Sequence, residues 1–380
     1  MNATEIQGAR ISPDGSAAVI ATIAPDWQQN RFKEDLWLWT RLQGRVTPLT
    51  HSEHDSAPKW SPDSRYIAFL SDRQLTNNES SDDIKDRDET SRVWLIPVSS
   101  GEAFPLYREK LDVHAFAWSP DSSSIDFSVT NPLPKDLEDA RKLEWKDVIR
   151  WREQERGDAL LALPIDSAIH VSAKLPEAHQ KTNTAGDQPQ YPTGTLVVAH
   201  NTFEIGEIAP SPSGEQIAFE TGPVSHRLED PAASELYLAA THGSIVQQLT
   251  HNQGLEGHLF WNHSGKSIYF LVRAASGSIE GPYQDVQGRI YSVDLQSGKA
   301  TRFGGDFKGS WEDLTVMQDG KIIASGLTGM DQHLYRIDGS KFESIATIPG
   351  NYAQLDASRA GATLPFTYSS TAEPHRVQSV

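Results

Sequence analysis

One short turn, repeated along the chain, limits what this sequence can fold into more than any other feature. Lys59-Trp60-Ser61-Pro62-Asp63-Ser64 leads into Tyr66-Ile67-Ala68-Phe69-Leu70: an apolar strand end, a turn, then a second apolar strand. Proline suits the first central position of a type I turn because its φ is fixed. Ser and Asp side chains bond the turn backbone, and Gly or Ser tolerates the exit geometry. The run that follows is aromatic, β-branched and aliphatic, the composition of a buried strand. The same pattern returns at Ser12-Pro13-Asp14-Gly15, Ser119-Pro120-Asp121-Ser122, Ser211-Pro212-Ser213-Gly214, Asn262-His263-Ser264-Gly265 and Met317-Gln318-Asp319-Gly320. A degraded copy stands at Ala357-Ser358-Arg359-Ala360-Gly361. The second turn position falls at residues 13, 62, 120, 212, 263, 318 and 359, so the spacings are 49, 58, 92, 51, 55 and 41.

Each hairpin is followed by a second pair of apolar segments. Residues 35–39 lead to 45–50, 92–98 to 103–106, 159–165 to 169–175, 235–238 to 245–250, 289–293 to 300–303, and 333–337 to 342–348. The links are short and rich in Gly and Ser, as hairpin loops are. Four strands per unit and seven units predict an all-β fold, a seven-bladed β-propeller of four-stranded antiparallel blades. A single domain is expected over 1–380, with blades near 1–50, 51–107, 108–176, 195–250, 251–304, 305–348 and 349–380. Insertions are expected at 74–90, 131–146 and 176–193, the last two accounting for the one oversized spacing. Residues 147–151 are expected to form a strand of the third blade, with a turn at 155–158. The seventh unit offers strands near 352–355, 363–368 and 375–380 and no fourth. Ala9 to Ile11 are needed by the first blade, so the last blade is expected to be incomplete, with 375–380 an open edge and the chain a fragment.

The totals exclude several classes. A formal charge of −17 lacks the basic footprint that general nucleic-acid binding requires. With no Cys there is no disulfide framework and no thiolate nucleophile. No apolar window is long enough for a membrane helix, and residues 1–10 lack the blocks of a signal peptide. A cytoplasmic location is the first expectation, with a periplasmic or secreted one if the start has been cut away.

Two stretches carry a resemblance. Trp60 to Arg73, read with Arg92-Val93-Trp94-Leu95-Ile96-Pro97, resembles the propeller of prolyl oligopeptidase-type serine peptidases, in particular the acylaminoacyl-peptidase-like and dipeptidyl-peptidase-like bacterial branch. Phe366-Thr367-Tyr368-Ser369-Ser370 with Glu373-Pro374-His375-Arg376-Val377 resembles the last blade of that family. The resemblance covers nearly the whole chain, but only the non-catalytic half of the family's architecture. It implies a peptide substrate and a C-terminal α/β-hydrolase domain as partner. Propellers related to TolB share the Ser-Pro-Asp-Gly turn.

The chain carries little chemistry of its own. The family's hydrolase needs a Gly-x-Ser-x-Gly elbow followed by Asp and His, and no Gly-x-Ser-x-Gly occurs here. No catalytic residue, metal ligand or cofactor is therefore assigned. His51-Ser52-Glu53-His54 and Ser81-Asp82-Asp83 read as solvated loops rather than metal sites. Gly304-Gly305 lacks the strand–helix context of a phosphate loop. Trp37, Trp39, Trp60, Trp94 and Trp118 read as blade packing. Glu153 and Glu155 are the substrate-binding candidates. Related aminopeptidases use propeller carboxylates to hold a free amino terminus, although this segment matches no defined Glu-Glu motif.

Two functions remain open at this point. One is the gating, substrate-selecting propeller of a serine peptidase for short peptides; the other is a free-standing TolB-like module that binds a protein partner. A propeller lactonase or glycosidase would need convergent metal ligands or paired acids, and none stands out.

Overall fold

The Ser-Pro-Asp turns adopt the geometry their residues predict. The computed structural model describes residues 4–73, 91–109, 111–132, 140, 143, 156–166, 191–223, 234–242, 245–251, 254–273, 287–357, 363–370 and 373–379. Across six turns the fourth residue donates its amide to the carbonyl of the first, as in Gly15 to Ser12 at 2.8 Å and Ser64 to Ser61 at 2.9 Å. That fourth residue is left-handed, with φ of 73° at Gly15 and 62° at Ser64, which explains the recurrence of Gly there. The first Ser ties the hairpin together: Ser61 Oγ donates to Asp63 Oδ1 at 2.6 Å and accepts from Tyr66 N at 2.9 Å.

From these hairpins the sheets follow in simple meanders. The first sheet is β1 (Glu5–Ile11), β2 (Ala17–Asp26), β3 (Arg31–Thr40) and β4 (Arg45–Pro48). The second is β5 (Asp55–Trp60), β6 (Tyr66–Ser71), β7 (Arg92–Pro97) and β8 (Phe104–Pro105). The third is β9 (Val113–Trp118), β10 (Ser124–Thr130), β11 (Asp158–Pro164) and β12 (Leu196–His200). The fourth is β13 (Glu204–Pro210), β14 (Gln216–Gly222), β15 (Leu236–Ala240) and β16 (Val246–Gln248). The fifth is β17 (Leu255–Trp261), β18 (Ser267–Arg273), β19 (Arg289–Asp294) and β20 (Ala300–Phe303). The sixth opens with β21 (Ser310–Val316), β22 (Ile322–Thr328) and β23 (Asp331–Asp338), and closes with the first part of β24 (Lys341–Ala353). The end of β24 then becomes the inner strand of the seventh blade, pairing with β25 (Pro365–Ser369), which pairs with β26 (Arg376–Ser379).

One boundary differs from the sequence expectation. The outer strand of the third blade is β12, with Ala159 opposite His200, so 196–200 belongs to that blade and the fourth begins at Glu204. The segment 169–175 expected in that place, the strand expected at 147–151 and the insertion 74–90 lie outside the described residues, as does nearly all of 131–146 and 176–193.

The turns also show how the blades are arranged. Asp14 N donates to Ser64 Oγ at 3.3 Å, and Asp63 N to Ser122 Oγ at 3.0 Å. A Cβ placed on Gly214 would sit 3.3 Å from Pro120, and one on Gly265 would sit 3.9 Å from Pro212. His263 Nε2 lies 2.8 Å from Met317 O. The turns of blades one to six therefore stand side by side on a single face. The inner strands β1, β5, β9, β13, β17 and β21 follow one another in contact, and β1 returns to lie beside β25. This is the seven-bladed β-propeller. The second-to-third strand connections start at the opposite face, including the one between β10 and β11. Among the described residues no helix is long and apolar enough to cross a membrane.

Cohesion comes from between the blades. Val93 and Leu95 of the second blade pack on Phe116, Ile125 and Phe127 of the third, and an equivalent apolar cluster fills each junction through to the seventh blade. Beside them runs a repeated polar clasp. Trp60 Nε1 donates to Arg10 O at 2.8 Å, Trp118 Nε1 to Lys59 O at 3.0 Å, and Trp261 Nε1 to Ala209 O at 2.7 Å. Each Trp precedes the first residue of its turn, and each acceptor lies two residues before the preceding blade's turn. The junction between the seventh and first blades is held differently. Asp356 Oδ2 accepts from Ile11 N at 2.8 Å, Gln354 Nε2 donates to Gln7 O, and Arg41 reaches Thr363. Because β1 is paired with β2, it supplies no strand to the seventh blade. Among the described residues no strand pairs with the outer edge of β26.

Two substitutions measure these clasps. Trp118→Phe keeps an aromatic ring but removes the donor and part of a buried indole, so it should lower the unfolding free energy by at least about 1 kcal/mol in chemical denaturation. Asp356→Ala leaves the buried Ile11 N–H without its acceptor and should cost about 1–3 kcal/mol, whereas Asp356→Asn, which keeps an acceptor oxygen, should cost clearly less. Equal losses in the two Asp356 variants would show that the carboxylate does not close the ring through Ile11.

Candidate functional site

The inner strands are irregular where they meet the axis. Each of β1, β5, β9, β13, β17 and β21 shows a register shift against its neighbour, such as Ile205/Glu207 and Trp311/Asp313. A bulge inserts unpaired backbone and re-aims the side chains around it. Two non-glycine residues of the inner strands, Ala57 (φ 50°) and His258 (φ 55°), and Gln354 (φ 56°) just past the end of β24 have left-handed backbone. Such conformations cost about 1–2 kcal/mol each and persist where surrounding structure imposes them.

A cavity of about 410 Å³ lies at this centre, lined from six blades by residues including Arg10, Lys59, Glu207, His258, Asp313 and Asp356. Aligning the blades on their turns explains its polarity. Four residues before the first turn residue stand Gly8, Ala57 and Ala115 in blades one to three, but Glu207, His258 and Asp313 in blades four to six. Two residues before it stand Arg10 and Lys59 in blades one and two, then Ala117, Ala209, Phe260 and Thr315. One wall is therefore small and cationic, the other acidic.

The carboxylates serve the backbone that the bulges release. Glu207 accepts from His258 N at 2.8 Å and Leu259 N at 3.2 Å. Asp313 accepts from Leu355 N at 2.9 Å and from its neighbour Leu314 N at 2.8 Å. His258 Nδ1 stands 3.3 Å from Asp313 Oδ1, and this carboxylate raises the imidazole pKa against the opposing effect of burial. Burial, and then the charge of Glu207, push the Glu220 carboxyl up to about 8. Burial pushes the Lys59 ammonium down to about 8; its Nζ donates to Phe116 O at 2.6 Å and lies 5.0 Å from the Phe116 ring centre.

The residues singled out from sequence fall elsewhere. Glu153 and Glu155 belong to the connection between β10 and β11 and lie outside the described residues. Its two ends are anchored: Asn131 N donates to Gly157 O at 2.9 Å, Arg156 donates to Asn131 O, and Asn131 Nδ2 reaches Asn201 O at 3.0 Å. Beside them His114 is bracketed by Asp112 and Asp158, which hold its imidazolium up to about 10. In the segment 51–54, Glu53 pairs with Arg31 and Lys33 while His54 Nδ1 meets Asp72 Oδ1 at 2.6 Å, so these side chains join the first blade to the second. Ser81, Asp82 and Asp83 lie outside the described residues. Gly304 turns with φ 60° above the Trp311 ring. Trp60 and Trp118 are clasp donors, and Trp94 stacks under the Arg73 guanidinium at 4.5 Å. Sequence reasoning missed the channel residues. Aligning the units on their turns, rather than scanning for local clusters, would have exposed them.

Comparisons with known proteins agree with the fold. Residues 12–133 match the family described as the dipeptidyl peptidase IV (DPP IV) N-terminal region. The chain is 28% identical over 134 residues to the uncharacterized peptidase YuxL of Bacillus subtilis, covering 35% of this chain and 18% of that protein. It is 23% identical over 344 residues to dipeptidyl-peptidase 5 of Porphyromonas gingivalis, covering 85% of this chain and 44% of the relative. The chain thus spans less than half the length of these relatives. Among solved structures it resembles the β-propeller domain of the Trilobed protease from Pyrococcus furiosus, described as having an open velcro topology. There the TM-score is 0.60 at 11% identity, covering 99% of this chain and 92% of that one.

The raised His258 pKa fixes the sign of a pH effect. An unfolded imidazole titrates near about 6.5, so the His258–Asp313 contribution to stability is complete below that pH. It is lost as pH rises through the folded value. The charged groups around the ring are Asp313, Glu207, Glu220 and Arg273. Denaturation midpoints of the wild type and His258→Gln should therefore differ most at acidic pH and converge as pH rises; a gap that widens with pH would refute the pairing.

Proposed function

We propose that this chain, a propeller of the prolyl oligopeptidase family of peptidases, is the non-catalytic part of a peptidase for short peptides, gating and selecting substrates for a hydrolase domain. The observation that carries this reading is the polar channel at the centre of the ring. A cavity of about 410 Å³ lies in the size range of small-ligand sites. It accommodates an extended segment of a few residues and excludes a folded domain. Size selection of this kind needs no chemistry in the propeller. The sequence, which holds no Gly-x-Ser-x-Gly elbow, assigns the chemistry elsewhere.

Within this reading Glu153 and Glu155, which lie between β10 and β11 in the sequence, bind the substrate. They hold its free amino terminus, carboxylate against ammonium.

The gene provides the direct test. The frame downstream of Val380 is expected to encode Gly-x-Ser-x-Gly, then Asp, then His; a stop codon directly after Val380 would overturn the peptidase assignment in favour of a free-standing binding module. The isolated chain should release no product from acylated or free-amino-terminal peptide anilides, and turnover by it would contradict the non-catalytic role.

A further inference from the structure

The cavity's two cations differ from its carboxylates in one respect. Glu207, Asp313 and Asp356 all accept backbone N–H groups of a neighbouring blade. Arg10 and Lys59 line the same cavity, and neither forms an ion pair among the described residues. The Arg10 side chain makes no hydrogen bond there, and Lys59 uses one of its three N–H donors, on Phe116 O. In a chain with 51 acidic and 34 basic side chains, two adjacent blades thus present cations without a carboxylate in salt-bridge contact among the described residues, Asp356 and Glu207 acting on them only through charge at longer range. Their placement is fixed by the clasps. The Arg10 and Lys59 carbonyls are the acceptors of Trp60 and Trp118, so both backbones are held while both side chains project.

We infer that Arg10 and Lys59 form an anion site in the central cavity, and that its ligand is the terminal carboxylate of a short peptide. The arrangement suits that ligand. A guanidinium offers a planar fork to a carboxylate, and a neighbouring ammonium adds a further charge-assisted bond. Pro13, Trp60 and Leu355 line the cavity beside the cations and provide apolar contact for the chain behind the carboxylate. Burial and the Arg10 charge both disfavour the Lys59 ammonium, with Glu207 opposing them, so a bound anion relieves a cost already present. The site lies at the turn end of the inner strands. A peptide entering by its carboxyl end would be drawn along the axis.

Inorganic phosphate shares the anionic chemistry, and a peptide as bearer rests on the peptidase reading above. Titration calorimetry of this chain separates the cases, using glycyl-phenylalanine, its C-terminal amide and inorganic phosphate as probes. The free dipeptide should bind at least about tenfold more tightly than the amide, the size of one lost charge-assisted hydrogen bond. Arg10→Gln and Lys59→Gln should each weaken the dipeptide about tenfold, while Arg10→Lys and Lys59→Arg should retain most of the affinity. Because the clasps use backbone carbonyls, the melting temperatures of these variants should stay close to wild type, which separates lost binding from lost folding. Dipeptide and amide binding alike, or neutral variants binding like wild type, would overturn the site. Phosphate binding without any preference for the free dipeptide would overturn the peptide carboxylate as its ligand. Failure of the gene test alone would leave this binding result standing, since the assay involves no turnover.

Discussion

The bond on which the rest of the ring depends is the one from an indole N–H to the carbonyl of the preceding blade. A four-stranded sheet buries neither face alone, so each unit is stable only against its neighbours. Apolar packing between sheets is non-directional and would tolerate sliding. The bonds from Trp60 to Arg10, Trp118 to Lys59 and Trp261 to Ala209 are directional and remove that freedom. Each acceptor lies within two residues of a turn whose own tip touches the next tip. Register between blades is therefore set near one face, and the inner strands are held in line along the axis.

Fixing that face has a consequence at the centre. Strands anchored at the turns and bulged above them expose backbone N–H groups at the bulges, and an exposed donor in a narrow channel needs a partner. Glu207 fills that need by reaching across to His258 N and Leu259 N at the β17 bulge, while Asp313 and Asp356 reach Leu355 N past the end of β24 and Ile11 N at the end of β1. The acidic side of the channel is thus first a structural device, and its carboxylates already have partners. Among the described residues Arg10 makes no such bond, and Lys59 spends only one of its three donors on the next blade, at Phe116 O; this spare donor capacity, more than the mere presence of charge, separates a binding feature from a closing one.

Much of the fold was legible because its signals are local. Ser61-Pro62-Asp63-Ser64 defines a turn by the φ of Pro62 and the hydroxyl of Ser61, and Tyr66 to Leu70 defines a strand by its composition. The outer strand of the third blade was not legible. Residues 169–175 and 196–200 are both short apolar runs after β11, and only the pairing of Ala159 with His200 decides between them. The candidate site was less legible still. A lone Glu207 or Lys59 within an inner strand reads as ordinary alternation, and its meaning appears only when strands distant in sequence converge on one axis. Glu153 and Glu155 are named from the resemblance and from their position within the third blade, and they lie outside the described residues.

The closing junction shows where this architecture concentrates its risk. Six junctions are backed by covalent continuity between neighbouring blades and by an apolar cluster. The seventh joins the two ends of the ring and has no such continuity. With β1 committed to β2, no strand exchange locks it among the described residues. What holds it is Asp356 on Ile11 N, Gln354 on Gln7 O and Arg41 on Thr363, polar contacts of modest individual strength. Two of these residues, Gln354 and Asp356, also line the cavity, as do Ile11 and the Arg10 beside it. Any ligand seated against Arg10 therefore bears on the same short stretch that closes the ring. Residues 11, 354 and 356 thus serve both the lining of the channel and the closure of the propeller.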